Sequence, residues 1–93
     1  MNGEKKELSE FIGNIVVLDT STPILYIGML ESVDEFFLTL TDCDVHDLNE
    51  GASTKEFYCI EAKKYGVRKN RTRAKVRKAL IVSISLLDEV IEY

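Results

Sequence analysis

The chain has no tryptophan, one proline, two cysteines and one histidine in 93 residues. With His46 as the only imidazole, and no serine or cysteine set beside a recognisable base, the usual apparatus of acid–base and nucleophilic catalysis is missing. No glycine-rich phosphate loop occurs. Cys43 and Cys59 stand singly rather than in metal-binding pairs. They read as two small apolar thiols, and a disulfide between them is permitted but not required. The longest apolar runs, such as Ile15–Leu18 and Ile24–Ile27, fall far short of the roughly 20 residues that span a bilayer. The opening Met1-Asn-Gly-Glu-Lys-Lys-Glu7 carries no secretory apolar stretch. A cytoplasmic, non-enzymatic protein is expected, with no small-molecule cofactor, no metal and no membrane partner.

The most telling scarcity is local. Residues 63–87 hold nine bases and no acid, whereas residues 1–62 hold three bases against thirteen acids. The net charge of −4 averages over this split. A one-signed patch attracts polyanions even on an acidic protein. It can equally neutralise the acidic half within the fold or across a subunit contact.

What is present describes one small domain over residues 1–93. Asn2–Glu10 is polar, and Leu8, Phe11 and Ile12 share a helical face, so a short amino-terminal helix is expected to end at Gly13. Ile15–Leu18 is a strand apolar on both faces, and Thr20-Ser-Thr-Pro23 a turn. Ile24–Val33 is a second strand, interrupted by Gly28. A glycine in mid-strand marks a sharp bend or a close backbone approach. After a tight turn at Asp34-Glu35, Phe36–Val45 alternates as a third strand. Ser53-Thr-Lys-Glu56 matches a capping box, so a helix follows, with Gly66 as its carboxyl-terminal cap. Its Phe57–Ile60 stripe is expected to close one end of the body. Arg68-Lys-Asn-Arg71 is an exposed turn. Thr72–Arg77 and Ile81–Leu86 are the last two strands, and Leu87–Tyr93 is a tail expected to pack back. Five short, bent strands make a small, partly open barrel.

Two stretches carry a family resemblance. The first is Gly13, Ile15-Val-Val-Leu18 and, after the turn, Gly28-Met-Leu30-Glu-Ser-Val33-Asp34. The second is Val76-Arg77-Lys78-Ala-Leu-Ile81-Val-Ser83-Ile84. In this order the pair resembles the two motifs of the Sm and Sm-like proteins, which include the bacterial RNA chaperone Hfq. The resemblance implies a mainly β, five-stranded, strongly bent open barrel with an amino-terminal helix, here with a further helix inserted between strands three and four. It implies a homo-oligomer in which strand 72–77 of one subunit pairs with strand 81–86 of the next. It also implies contact with single-stranded RNA at two loops that meet in this fold. Asp34 matches the motif aspartate and Arg77 the RNA-contacting arginine. With one residue deleted, Phe36 takes the base-stacking position.

Two departures stand out. Phe37 replaces an asparagine that reads a base edge, and phenylalanine can only stack. Lys78 replaces the motif glycine. The candidate RNA-binding residues are therefore Asp34, Phe36, Phe37, Arg77 and Lys78, with Arg68, Lys69 and Arg71 as further phosphate contacts. Because adjacent strand residues point to opposite faces, at least one of the two phenylalanines is expected in the core. A protein-interaction module that keeps the barrel without RNA is the alternative. The cluster Asp42-Cys-Asp44-Val-His46-Asp47 invites a metal, but its spacing fits no standard loop and it reads as a surface ladder.

Overall fold

The computed structural model describes residues 8–51 and 54–92. Five strands, β1 Ile15–Thr20, β2 Ile24–Val33, β3 Phe37–Asp47, β4 Arg71–Arg77 and β5 Ile81–Leu86, form one antiparallel sheet in the order β4-β3-β2-β1-β5. One helix, α1 Lys55–Tyr65, is inserted between β3 and β4. A three-residue turn, Lys78–Leu80, joins the two strands at opposite edges of this sheet. So short a link reaches only about 10 Å, so the sheet must curl until its edges approach each other. This is the strongly bent, five-stranded β architecture expected from the sequence.

The curl has visible causes. Between the pairs Ile27↔Asp44 and Met29↔Thr41, two residues of β3, Asp42 and Cys43, face the single Gly28. Asp42 takes a left-handed φ of 47°. A Cβ placed on Gly28 would lie 2.4 Å from the Cys43 Cβ and 2.9 Å from its Cα. Only glycine admits this close approach, and the bulge sharpens the bend. A second bulge puts Glu31 between the pairs Leu30↔Leu40 and Ser32↔Thr39.

Each face of the sheet has its own core. The inner face buries Val16, Leu18, Leu30, Leu38, Leu40, Cys43 and Val76. Each fully buried leucine contributes about 1.5–3 kcal/mol relative to exposure. The outer face buries Val17, Leu25 and Ile27 against Cys59 and Ala62 of α1 and against Leu87. The tail therefore packs back as expected, and Val90 joins this second cluster. The two thiols are free, buried and in different cores.

Several local expectations are corrected. The helix cap is Thr54, whose hydroxyl accepts from the Phe57 amide, one residue later than the start of the proposed capping box. Ser53 lies outside the described residues. Gly66 caps the far end at a φ of 96°, as expected. Phe57 is half exposed, and α1 meets the sheet through Cys59 and Ala62, lying on the outer face rather than across an end. Most of the amino-terminal helix expected over Asn2–Glu10 lies outside the described residues. Leu8 and Ser9 are helical and residues 10–13 form a turn that stops at Gly13, whose φ is 89° and whose amide donates to the Leu30 carbonyl.

Candidate functional site

The β2–β3 turn and the β4–β5 turn lie against each other at one end of the sheet. Phe37 is directly opposite Arg77 in the β3–β4 register, and the Lys78 amide donates to the Phe36 carbonyl at 2.8 Å. The turn is held by Asp34. One carboxylate oxygen accepts from the amides of Phe36 at 2.9 Å and Phe37 at 2.8 Å. The Asp34 amide donates to the Phe37 carbonyl, closing the loop. These amides, Phe37 first, hold the Asp34 carboxyl below its ordinary value, with help from the charges of Lys75 and Lys78 and against a smaller effect of desolvation.

Neither phenylalanine enters the core, contrary to expectation. Phe36 belongs to the turn rather than to β3, so strand alternation does not bind it, and it is 59% exposed. Phe37 starts β3 on the outer face and is half-buried beneath cations, with Lys75 Nζ and the Arg77 guanidinium each 5.4 Å from its ring centre. Stacking beneath two cations stabilises both by attraction to the ring face. The site thus presents one open aromatic ring, Phe36, and one ring that organises positive charge, Phe37. A groove of about 650 Å³, lined by Ile12, Val33, Asp34, Glu35 and Lys78, opens beside it.

Five of the eight residues singled out from the sequence, Asp34, Phe36, Phe37, Arg77 and Lys78, are brought together here. Arg68, Lys69 and Arg71 are not. They lie at the other end of β4, about 20 Å away by strand rise, where Arg71 opens the strand and Arg68 and Lys69 precede it. Lys75 was missed. Its place two residues before Arg77 on an alternating strand puts both on one face, a signal the sequence contained.

The acidic stretch Asp42–Asp47 is not a surface ladder. The bulge at Asp42 breaks the alternation and turns Asp44 and His46 toward α1. Asp44 is 3% exposed; it accepts hydrogen bonds from the Tyr58 hydroxyl and from Asn70 Nδ2, the latter at 3.1 Å. The His46 and Tyr58 rings stack with centres 4.0 Å apart. Asn70 also bonds both the amide and the carbonyl of Val45. This polar cluster fastens helix, strand and connecting segment to one another. Burial, then the Asp44 hydrogen bond and charge, push the Tyr58 phenol upward. Among the described residues no group of acids, cysteines and histidine is assembled to hold a metal, and no helix is long and apolar enough to cross a membrane.

The fold is similar to that of a solved Sm protein from Pyrococcus abyssii in complex with a uridine heptamer, with a TM-score of 0.60. The match covers 88% of this chain and 94% of that chain at 14% sequence identity. At this identity the likeness shows a shared fold. No family model matches the chain, and no curated protein matches it in sequence.

Proposed function

We propose that the chain is a non-enzymatic, Sm-like RNA-binding scaffold that acts as a homo-oligomer. The observation that carries this reading is the convergence of Phe36, Arg77 and Lys78 at one end of the sheet, fixed by the Phe37↔Arg77 pairing and the Lys78 to Phe36 hydrogen bond. The solved relative in fold holds a uridine heptamer, which supports single-stranded RNA as the ligand. Arg77 and Lys78 contact phosphate, and the open Phe36 ring stacks on a base. With phenylalanine in place of the asparagine, no side chain reads a base edge at that position, so binding tolerates different sequences.

Self-association supplies the missing affinity. β4 and β5 are the two edges of the sheet, each paired on one side only within the chain. Val82 on β5 is 66% exposed. An unpaired edge of this kind is a template for another strand. Pairing of β5 with β4 of the next copy is head-to-tail, closes into a ring if the rotation permits, and multiplies one modest site.

The test is a binding titration of mixed single-stranded RNA at two salt concentrations, with light scattering of the free protein. Binding is expected to weaken steeply with salt. Arg77→Ala is expected to weaken it by about tenfold or more, since a hydrogen bond to a charged group is worth roughly 1.5–3 kcal/mol. A monomer at high concentration contradicts the oligomer, and affinity indifferent to both salt and Arg77 contradicts the RNA site. The covering of the Phe37 ring by Lys75 and Arg77 favours one second reading, a protein-interaction module on the same barrel. Self-association without RNA binding is its expected result.

A further inference from the structure

We propose that the bare outer face of β4 is a phosphate track that leads a single strand of RNA from the loop site at Arg77 toward Arg71. The inference rests on the RNA-binding reading above and extends it to a path and a footprint. Side chains alternate along a strand, so Arg71, Arg73, Lys75 and Arg77 project from one face, and all four are exposed. The intervening Ala74 and Val76 turn inward to the core. Successive cations are thus about 6.6 Å apart along the strand, comparable with the separation of neighbouring phosphates in an extended single strand.

The row begins at the loop site itself. Arg77 and Lys75 are the two cations over the Phe37 ring. A nucleotide stacked on Phe36 therefore has its next phosphates beside a row of charge that continues for about 20 Å. Charge complementarity selects the occupant: four cations in line match a polyanion of regular spacing. One acid interrupts the row. Glu31, carried outward by the second bulge of β2, holds Arg73 at 3.2 Å, with both side chains exposed at 44% and 62%. An exposed pair of this kind is weak and screened by salt, so a phosphate can replace the carboxylate. Arg71 donates to its neighbour's carbonyl at Asn70 and keeps its charge for the track. The track also joins Arg71 to the loop site although the two lie at opposite ends of the strand.

The experiment compares a uridine trinucleotide, which fills the loop site, with polyuridine on the order of ten nucleotides, long enough to follow the strand. The double substitution Arg71→Gln with Arg73→Gln removes two phosphate contacts. It is expected to flatten the salt dependence of polyuridine binding by about 1.4 in log–log slope, at about 0.7 per phosphate. Trinucleotide binding is expected to stay unchanged. Lys replacements at both positions restore the slope, and Glu31→Gln tightens polyuridine binding alone. These side chains are exposed, and circular dichroism confirms that each variant is folded. If polyuridine keeps the wild-type slope in the Gln variant while Arg77→Ala still weakens it, the track is overturned and the loop site stands. If neither oligomer binds the wild type, both readings fall.

Discussion

The outer face of this sheet has two halves built on the same strand alternation and finished in opposite ways. Over β1, the first half of β2 and the end of β3, the outward residues are Val17, Leu25, Ile27 and Asp44, and α1 with the tail covers them. Over β4 and the start of β3 they are Arg71, Arg73, Lys75, Arg77 and Phe37, and among the described residues no helix or tail packs on them. Polar groups in the covered half are saturated by partners within the fold. Cations in the bare half meet a ring, one exposed acid or a backbone carbonyl. In the first half the outward side chains pack within the fold, and in the second the cations are exposed. The boundary between the halves lies at Gly28 and the bulge opposite it.

The largest expected effect comes from breaking that boundary. Gly28→Ala places a methyl group 2.4 Å from the Cys43 Cβ and 2.9 Å from its backbone Cα, and backbone cannot swing aside. Overpacking costs about 1–3 kcal/mol and more when backbone must move. A loss near 3 kcal/mol lowers the melting temperature by roughly 12–24 °C in a domain of this size. RNA binding should fall with it, because the curl that brings the end loops together depends on the bend. Calorimetry showing the variant within a few degrees of wild type would mean that the halves are not held apart at this residue.

The next effect sharpens the comparison inside the covered half. Tyr58→Phe removes the hydroxyl that donates to buried Asp44, leaving that carboxylate with Asn70 alone. An unsatisfied buried group costs about 1–3 kcal/mol. The same helix makes the covered half sensitive to alkali. The Tyr58 phenol titrates above its ordinary value of 10.0, and burial pushes the Cys59 thiol from 9.0 up to about 11. In each case the unfolded chain releases its proton first. The stability these groups contribute is therefore present below their ordinary values and is lost as pH rises, from pH 9 to 11 for Cys59 and above pH 10 for Tyr58. Thermal melts across pH 8 to pH 11 should fall in the wild type and flatten in a Tyr58→Phe, Cys59→Ala double variant. Parallel curves for the two proteins would show that α1 does not anchor this half.

Much of this division was legible in the sequence. The alternation of charge with Ala74 and Val76 marked β4 as one-sided, and the lone Gly28 marked the bend. Gly66 marked the end of α1, and the motif pair marked which loops would meet. What escaped depends on counting across a bulge. Asp42, Asp44 and His46 looked like one surface ladder because the alternation was carried straight through Asp42 and no local pattern shows that α1 covers the face on which Asp44 and His46 lie. The extra residue there reverses the parity and turns them toward Tyr58. Phe36 escaped for the converse reason: it is in the turn, where alternation has no force. The buried face of α1 departs from expectation because the small Cys59 and Ala62, and not the large Phe57, allow close packing on the sheet. Bulges and small-residue contacts are settled by tertiary fit, and no local pattern announces them.

The smallest expected effect on stability lies in the bare half, and it separates structure from function most cleanly. Asp34 is exposed, so Asp34→Ala should change the melting temperature less than either substitution above. Yet its carboxylate fixes the amides of Phe36 and Phe37, and so sets where the open ring stands relative to Lys78. Amide exchange at Phe36 and Phe37 should accelerate in the variant, with RNA affinity falling while the rest of the sheet keeps its protection. Acid should do the same to the wild type. The carboxyl titrates below its ordinary 3.8, so its contribution is intact above that value and is lost as pH falls through the lowered one. Exchange at these two amides that ignores both the substitution and acid would show that the turn is shaped by its β-strand ends alone. In that case the bare half needs no internal support, in full contrast with α1 and its hydrogen-bonded polar cluster.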